Sequence, residues 1–250
     1  MTPGKQLKPE HRRLQLGPAS IYYQVVGAGR PLVLVHGLSG STRWWTKNID
    51  ALADQFRLYL IDLIGFGQSQ NGRPFILDEA VPYLKKWMDW VSLERASFIG
   101  HSMGGLIAAD FASDFPNRVE RLVLVDTPGL PFGHGMAREI WGMGQSLRYC
   151  PVDFLWVMTA DAFQAGLINI LRIGRELLTR DIRTKLAQID RPALIIWGEH
   201  DTVVPLALGQ KLNSCLANSQ FIIIEGAGHV PMWERPGEFN RVVVDFLTAP

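Results

Sequence analysis

Seven short runs of β-branched and aliphatic residues recur along the chain, and they constrain the fold more than any other feature. Most are continuously apolar instead of alternating with polar residues, which is typical of strands buried on both faces of a parallel sheet. The runs are Ile21–Val26, Pro31–Val35, Arg57–Ile61, Ala96–Ile99, Arg121–Val125, Ala193–Trp197 and Phe221–Ile224. Stretches with helical periodicity separate them, namely Asp78–Val91, Leu106–Phe115, Pro205–Leu216 and Pro236–Leu247. This alternation predicts an α/β fold, doubly wound around a mostly parallel sheet.

The alternation is interrupted once, between Val125 and Ala193. This stretch has helical character without a strand-like run, and a structureless loop of roughly 60 residues would be unusual. We therefore predict that residues 1–127 and 191–250 form the α/β core and that residues 128–190 form an inserted helical cap. Most aromatic residues of the cap should pack onto the core. A few should line a substrate pocket beneath it, with Trp141 and Trp156 as candidates.

The charge balance and the cysteine content exclude several functional classes. Lys and Arg number 25 against 24 Asp and Glu, a net charge of +1, so the chain lacks the basic excess of a dedicated nucleic-acid binder. There are only two cysteines, Cys150 and Cys215, which predicts buried free thiols in a reducing compartment. No CxxC, HExxH or Cys/His cluster is present, so no metal site is expected.

The sequence also lacks the features of a membrane segment or a leader. No apolar run reaches the roughly 18 residues that a membrane-spanning helix needs. Residues 1–16 are polar and charged and have no apolar region of a secretory signal. We expect a cytoplasmic protein that is a monomer or a small homo-oligomer.

The motif with the clearest chemistry is Gly100-His101-Ser102-Met103-Gly104, which reads G-x-S-x-G. It lies between a predicted strand and a predicted helix, the setting of a nucleophile elbow. The turn at such a serine is so tight that side chains at the flanking glycine positions would collide with the neighbouring backbone. Ser102 is therefore expected to lie at a helix N-terminus, where free N–H groups favour an oxyanion.

A serine hydroxyl needs a base, and the base needs an orienting carboxylate. His229 follows the predicted strand Phe221–Ile224, and Asp201 follows the preceding one, so both should reach the carboxyl edge of the sheet near Ser102. The order Ser102, Asp201, His229 is the order of an α/β-hydrolase triad. Asp126, at the end of the strand before the cap, is the alternative acid.

A tetrahedral intermediate needs two N–H donors for its oxyanion. We expect one from Met103, directly after Ser102, and the other from Leu38, in the loop after the strand Pro31–Val35. That loop lacks the Gly-Lys-Ser/Thr of a phosphate-binding loop, and no Gly-x-Gly pair has the third glycine of a dinucleotide-binding turn. The inferred chemistry requires no cofactor.

Five motifs in order make the chain resemble the α/β-hydrolase superfamily over nearly its whole length. They are His36-Gly37, the D-x-x-G-x-G-x-S segment Asp62–Ser69, Gly100–Gly105, Gly198–Asp201 and Gly226–His229. The first resembles the oxyanion-loop motif of that superfamily. The second resembles its structural turn, so Ser69 is expected to bond locally instead of catalysing.

The resemblance implies a mechanism more strongly than a substrate. Serine at position 102 departs from the haloalkane dehalogenase and epoxide hydrolase branches, which use Asp there. Gly-His-Ser-Met-Gly-Gly is similar to small esterases, monoacylglycerol lipases and acyl-carrier methyl-ester esterases. It is also similar to serine carbon–carbon hydrolases of aromatic ring fission and to cofactor-free perhydrolases. Such carbon–carbon hydrolases often carry Asn in place of His101 and a Gly-Pro-Gly type of oxyanion loop, from which Leu38-Ser39-Gly40 departs.

The expected function is hydrolysis of a small to medium hydrophobic ester through an acyl-enzyme. His36, Gly37 and Trp44, with Trp45 beside it, are the remaining candidates for contact with the substrate. The alternatives are a carbon–carbon hydrolase or perhydrolase of the same fold, and a non-hydrolytic ligand receptor.

Overall fold

A single sheet of eight strands organises the computed structural model, which describes residues 7–70, 74–131, 142, 144–145 and 148–249. The strands are β1 (Glu10–Leu16), β2 (Ala19–Val26), β3 (Arg30–Val35), β4 (Phe56–Ile61), β5 (Ala96–His101), β6 (Val119–Val125), β7 (Ala193–Gly198) and β8 (Ser219–Ile224). Their spatial order is β1-β2-β4-β3-β5-β6-β7-β8. β2 is antiparallel to both of its neighbours, and the pairs from β4 to β8 are all parallel. The mostly parallel sheet predicted from the sequence is confirmed.

The topology places a crevice at the carboxyl ends of β3 and β5. The chain passes from β3 to β4 on one side of β3, and then to β5 on its other side. In open α/β sheets, ligands bind outside the carboxyl ends of the strands at such a reversal of strand order. The loop after β3 and the turn after β5 therefore border the crevice.

All seven strands predicted from apolar runs are present, with ends shifted by two residues at most. The eighth strand, β1, was not predicted, because only Leu14 of its seven residues is buried. β1 lies at the edge of the sheet and pairs with β2 from Glu10 opposite Val25 to Leu16 opposite Ala19. A strand of this kind is held by backbone pairing and carries no hydrophobic pattern.

Helices cover both faces of the sheet. In the described residues they are α1 (Ile49–Ala53), α2 (Leu77–Trp90), α3 (Met103–Asp114), α4 (Val152–Ala165), α5 (Leu167–Thr179), α6 (Arg183–Leu186), α7 (Leu206–Ser214), α8 (Pro231–Glu234) and α9 (Pro236–Thr248). Side chains alternate along β3, so that Val33 and Val35 pack with α2 and α3, whereas Leu32 and Leu34 pack with α1 and α9. Two layers of core result, one on each face.

The segment between β6 and β7 contains α4, α5 and α6 and no strand among its described residues. The helical character predicted for this insertion is thus present, whereas the boundaries of the cap stay a prediction. Cys150 and Cys215 are free, but both are only partly buried, which corrects the expectation of buried thiols.

No single helix in the described part of the chain is long and apolar enough to cross a bilayer. Helices α4 and α5 together have the length and composition, but they are bent by 97° relative to each other.

Candidate active site

Ser102 lies in a strained turn between β5 and α3, with φ +50° and ψ −120°. A Cβ at position 100 would lie 2.4 Å from the carbonyl oxygen of Gly104, and a Cβ at position 104 would lie 2.3 Å from the carbonyl oxygen of Val35. Only glycine fits either position, as the sequence predicted from the tightness of the turn. The strain is held in place partly by the Ser102 N–H, which donates to Val125 O at 2.8 Å.

The loop after β3 passes directly over this turn. A Cβ on Gly37 would lie 3.2 Å from the Cβ of Ser102. Within the described residues, neither the Leu38 N–H nor the Met103 N–H donates to a protein acceptor. Met103 is the first residue of α3, so its N–H is free for a ligand and the helix dipole favours negative charge there. Both donors predicted for an oxyanion hole are thus unoccupied and border the same turn.

His229 and Asp201 meet at the carboxyl edge of the sheet. His229 Nδ1 lies 2.8 Å from Asp201 Oδ2, and the Asp201 side chain is fully buried. The other carboxylate oxygen of Asp201 accepts from the N–H groups of Val203 and Val204 at 2.8 and 2.9 Å. This pairing puts a proton on Nδ1 and leaves His229 Nε2 as the free acceptor.

His101 connects the serine turn to the histidine loop, a role that the sequence analysis missed. Its Nε2 donates to the carbonyl oxygen of His229 at 2.7 Å, and the two rings are 4.9 Å apart. Burial, and then the proximity of His229, hold the pKa of His101 well below its ordinary value. The ring is therefore neutral and acts as a hydrogen-bond donor. Within the described part of the chain, no hydrogen bond joins His229 to Ser102 Oγ.

Asp126, the alternative acid, lies beside the triad residues without bonding to the histidine. Its Oδ1 accepts from the Gly198 N–H at 2.9 Å, and its Oδ2 has no partner among the described residues. Burial, and then the negative charge of Asp201, raise the pKa of Asp126 well above its ordinary value and so favour the neutral carboxyl group. One oxygen of Asp126 lies within 4.8 Å of a ring nitrogen of His101 and of His229. This trio has the spacing of a metal-ligand set, and ligation would require Asp126 to be ionised.

His36, a candidate for contact with the substrate, uses both of its ring nitrogens in hydrogen bonds to backbone groups. Its Nδ1 donates to the carbonyl oxygen of Gly37 at 2.8 Å, and its Nε2 accepts from the Leu63 N–H at 3.0 Å. The side chain is completely buried, and burial lowers its pKa. Both ring nitrogens are thus used to hold the loop after β3 against the segment after β4.

That segment is structural, as expected. Ser69 is completely buried, donates to the carbonyl oxygen of Asp62 at 2.7 Å and accepts from the Tyr22 N–H at 2.8 Å. Its hydroxyl bonds locally and is remote from catalysis.

Trp44 lies at the site, and a buried carboxylate of the cap holds it. Its ring packs 5.6 Å from the ring of His101 and 5.1 Å from that of Phe154 in α4. Trp44 Nε1 donates to Asp161 Oδ2 at 3.0 Å, and Ser41 Oγ donates to the same oxygen at 2.8 Å. Arg43 forms an ion pair with the other oxygen of Asp161. Asp161 in α4 therefore anchors the cap to the residues that follow the oxyanion loop.

The other tryptophans expected near the substrate are placed differently. Trp45 is fully buried and packs toward Phe239 of α9. Trp156 is 76% exposed on α4 and is not brought to the triad residues. Trp141 lies outside the described residues. The cap still reaches the oxyanion loop, since a Cβ at Gly174 of α5 would lie 3.9 Å from the Leu38 side chain.

Glu234 is a second acid that the sequence analysis missed. Its carboxylate accepts from the N–H of Gly228, the residue before His229. Burial raises the pKa of Glu234 to about 7, against the opposing effect of that N–H and of His229. No motif singles out this residue, because its partner is a backbone group.

Comparisons with known proteins bear on the fold of the chain. A family model described as "alpha/beta hydrolase fold" matches residues 30–148 and 171–236. The chain is 31% identical to the 2-hydroxy-6-oxononadienedioate/2-hydroxy-6-oxononatrienedioate hydrolase of Paraburkholderia phymatum, over 91% of this chain and 90% of that protein. It is 29% identical to the pimeloyl-(acyl-carrier protein) methyl ester esterase of Pectobacterium atrosepticum, over 92% of this chain and all of that protein. The solved meta-cleavage product hydrolase of Pseudomonas fluorescens superimposes with a TM-score of 0.77 at 25% identity, covering 92% of this chain and 94% of the other.

Proposed function

The chain belongs to the alpha/beta hydrolase family, and from this premise we propose that it is a serine hydrolase of carboxylic esters that works through an acyl-enzyme. The observation that carries the proposal is the 2.8 Å hydrogen bond between His229 Nδ1 and Asp201, next to a serine at the strained start of α3. A strained serine at a helix N-terminus and a histidine oriented by a buried carboxylate are the two parts that nucleophilic acyl transfer needs.

In the proposed reaction, His229 Nε2 takes the proton of Ser102 as Oγ attacks the ester carbonyl. The N–H groups of Leu38 and Met103 stabilise the oxyanion of the tetrahedral intermediate. His229 then gives its proton to the leaving alcohol, and the acyl-enzyme forms. A water molecule, deprotonated by the same histidine, attacks the acyl carbonyl and releases the acid. Asp201 stays ionised throughout and stabilises the imidazolium. The contact between Ser102 and His229 forms with substrate, as catalytic hydrogen bonds often do.

The surroundings of the site favour a neutral, hydrophobic substrate. Leu38 packs against the same core as Ile173 and Leu177 of the cap, which supplies apolar contacts above the oxyanion loop. Asp201 and Glu234 are acids near the histidine, and they disfavour a negatively charged group on the substrate. Among the described residues that follow the oxyanion loop, the nearest cation is Arg43, and Asp161 already pairs with it.

A carbon–carbon bond hydrolase is the second candidate, because the 31% identity to the Paraburkholderia phymatum hydrolase extends over nine-tenths of both chains. The same serine, histidine and oxyanion donors would serve that reaction. The dienedioate in the name of that relative carries two carboxylates, which would require cations in the pocket. Because Arg43 is already paired with Asp161, we place the ester reaction first.

Initial rates on p-nitrophenyl esters, from acetate to palmitate, separate the two candidates when measured beside a coloured dienol ketone. Ester hydrolysis that is fastest for short or medium chains, and at least about 10³-fold slower in Ser102→Ala, supports the proposal. Ser214→Ala is the matched control, since Ser214 is exposed on α7 and its hydroxyl bonds only to Lys211 O in the described structure. Bleaching of the dienol ketone, with all esters slow, supports the second candidate. Inertness toward both substrates contradicts the proposal and the alternative.

A further inference from the structure

The bend between α4 and α5 exposes an unusual amount of apolar surface. We call this bend, residues 152–175, the cap elbow. Its exposed large apolar side chains are Val152 at 71%, Trp156 at 76%, Phe163 at 91%, Leu167 at 69%, Ile168 at 86% and Leu171 at 44%. Scattered exposed apolar residues are normal on a protein surface, but contiguous ones mark an interaction site.

These side chains form a continuous stripe around the bend. Val152, Trp156 and Phe163 are separated by four and seven residues, so they share the outer face of α4. Leu167 and Ile168 follow on the first turn of α5, after the 97° change of direction at Gly166. Phe163 and Ile168, the most exposed of the six, therefore form the tip of a projecting corner.

The residues around this tip carry almost no charge. From Val157 to Leu171 the only charged residue is Asp161, which is buried and bonded to Ser41, Arg43 and Trp44. The surface of the tip is thus uncharged.

Basic residues begin directly beyond the apolar tip. Arg172 and Arg175 are exposed and lie four and seven residues after Ile168, on the same face of α5. Seven residues place Arg175 about 10 Å along the helix from Ile168, and Trp156 stands about 10 Å from Phe163 on α4.

We propose that the cap elbow docks on an anionic lipid surface. Phe163 and Ile168 enter the boundary between headgroups and acyl chains, and Arg175 reaches the phosphates at headgroup level. Trp156 lies at the depth that tryptophan prefers, between apolar and polar layers. Arg172 adds positive charge there, although its guanidinium also donates to the carbonyl oxygen of Phe75 and to Asn169.

A second copy of the chain fits this surface less well. A two-fold contact through the elbow would press two projecting tips together and bring Arg172 and Arg175 close to their own copies. A bilayer deforms around a projecting tip and neutralises the arginines.

Flotation with vesicles of phosphatidylcholine, with and without phosphatidylglycerol, tests the proposal. The wild-type protein should float with the phosphatidylglycerol vesicles. The double variant Phe163→Ser/Ile168→Ser should lower the partition coefficient by at least about 100-fold, because each of the two buried side chains is worth at least about tenfold. Arg175→Gln should lower binding to the anionic vesicles by about fivefold and leave phosphatidylcholine binding unchanged.

Trp90→Ser is the matched control, since Trp90 is an exposed aromatic residue on α2, outside the elbow. Its vesicle binding should equal that of the wild type. Absence of flotation in the wild type, or an equal loss in Trp90→Ser, overturns the proposal. The proposal is also overturned if the wild type is a dimer in sedimentation equilibrium and the double variant Phe163→Ser/Ile168→Ser is a monomer. Vesicle binding needs no turnover, so failure of the proposed hydrolase activity and failure of the docking proposal are read separately.

Discussion

Replacing Asp161 with Ala should weaken the attachment of the cap to the core. In the wild type its carboxylate accepts from Ser41 Oγ at 2.8 Å and from Trp44 Nε1 at 3.0 Å, and it pairs with Arg43. Asp161 and Trp44 are buried, so neither can exchange its partner for water without movement. The substitution therefore leaves buried hydrogen-bond donors without an acceptor, which costs more than the loss of one hydrogen bond.

The size of the loss in unfolding free energy depends on whether each donor can find another acceptor. An unpaired buried donor costs about 1–3 kcal/mol, and Trp44 Nε1 would carry that penalty in full. Ser41 can rotate its hydroxyl, and Arg43, whose side chain is 48% exposed, can turn toward solvent. We expect the free energy of unfolding to fall by about 2–4 kcal/mol, somewhat less than the roughly 3–5 kcal/mol for breaking a fully buried ion pair, because Arg43 is half exposed. Asp161→Asn keeps an acceptor for Trp44 and should cost about 1 kcal/mol.

Urea unfolding followed by circular dichroism and tryptophan fluorescence measures these differences. Thr159→Ala, on the exposed side of the same helix, should stay within about 0.5 kcal/mol of the wild type. A change of that small size in Asp161→Ala would refute the inference that this carboxylate anchors the cap.

Two further predictions concern the acids around His229. Asp126→Asn should change kcat/KM on a p-nitrophenyl ester by less than about threefold, because Asp126 does not bond to His229 and its surroundings favour the neutral carboxyl group. Asp201→Asn should remove the negative charge that, after burial, raises the pKa of Asp126, so Asp126 ionises more readily and partly replaces the lost acid; the double variant should fall toward the full loss of about 10⁴-fold. Equal rates for Asp201→Asn and the double variant would contradict this. The pKa of Glu234 rises from an ordinary 4.5 to about 7 on folding, so between these two pH values the folded state binds more protons than the unfolded state. The unfolding free energy of the wild type should therefore fall, relative to that of Glu234→Gln, as the pH rises from 4.5 to about 7. Parallel stability curves for the two proteins between pH 4.5 and 7 would show that Glu234 is not perturbed.

The core of the fold was predictable because its strands are buried on both faces. A strand such as β3, whose last four residues are completely buried, must be apolar along its length. Strand β1 gave no such signal, because its order comes from pairing with β2 at the edge of the sheet. A buried strand can be predicted from its apolar residues, whereas a strand held by backbone pairing alone has no such pattern.

The candidate site shows the same division. Ser102 was found through glycines whose Cβ atoms would collide with backbone, and Asp201 and His229 through their positions after strands. The contacts of His36 and Asp161 could not be predicted. The partners of His36 are backbone groups, and those of Asp161 are side chains 117 to 120 residues away. A histidine after a strand can point into a crevice or bind its own loop, and only the packing decides which.

The sequence was least able to predict which apolar side chains of the cap are exposed to solvent. Phe154 and Trp156 lie two residues apart on α4, yet the first is fully buried against Trp44 and Trp233 and the second faces outward. The apolar residues of the cap therefore divide between packing and an outer face, and composition alone does not separate them.

Covalent labelling of Ser102 tests the central claim most directly. The wild-type protein should react with a fluorophosphonate to give one adduct by intact mass, located on the peptide that contains Ser102. His229→Ala should slow the labelling by at least about 10²-fold, because the base is lost, and Ser214→Ala should label like the wild type. An unlabelled wild-type protein, or an adduct on another residue with Ser102 unmodified, would contradict the assignment of Ser102 as an activated nucleophile.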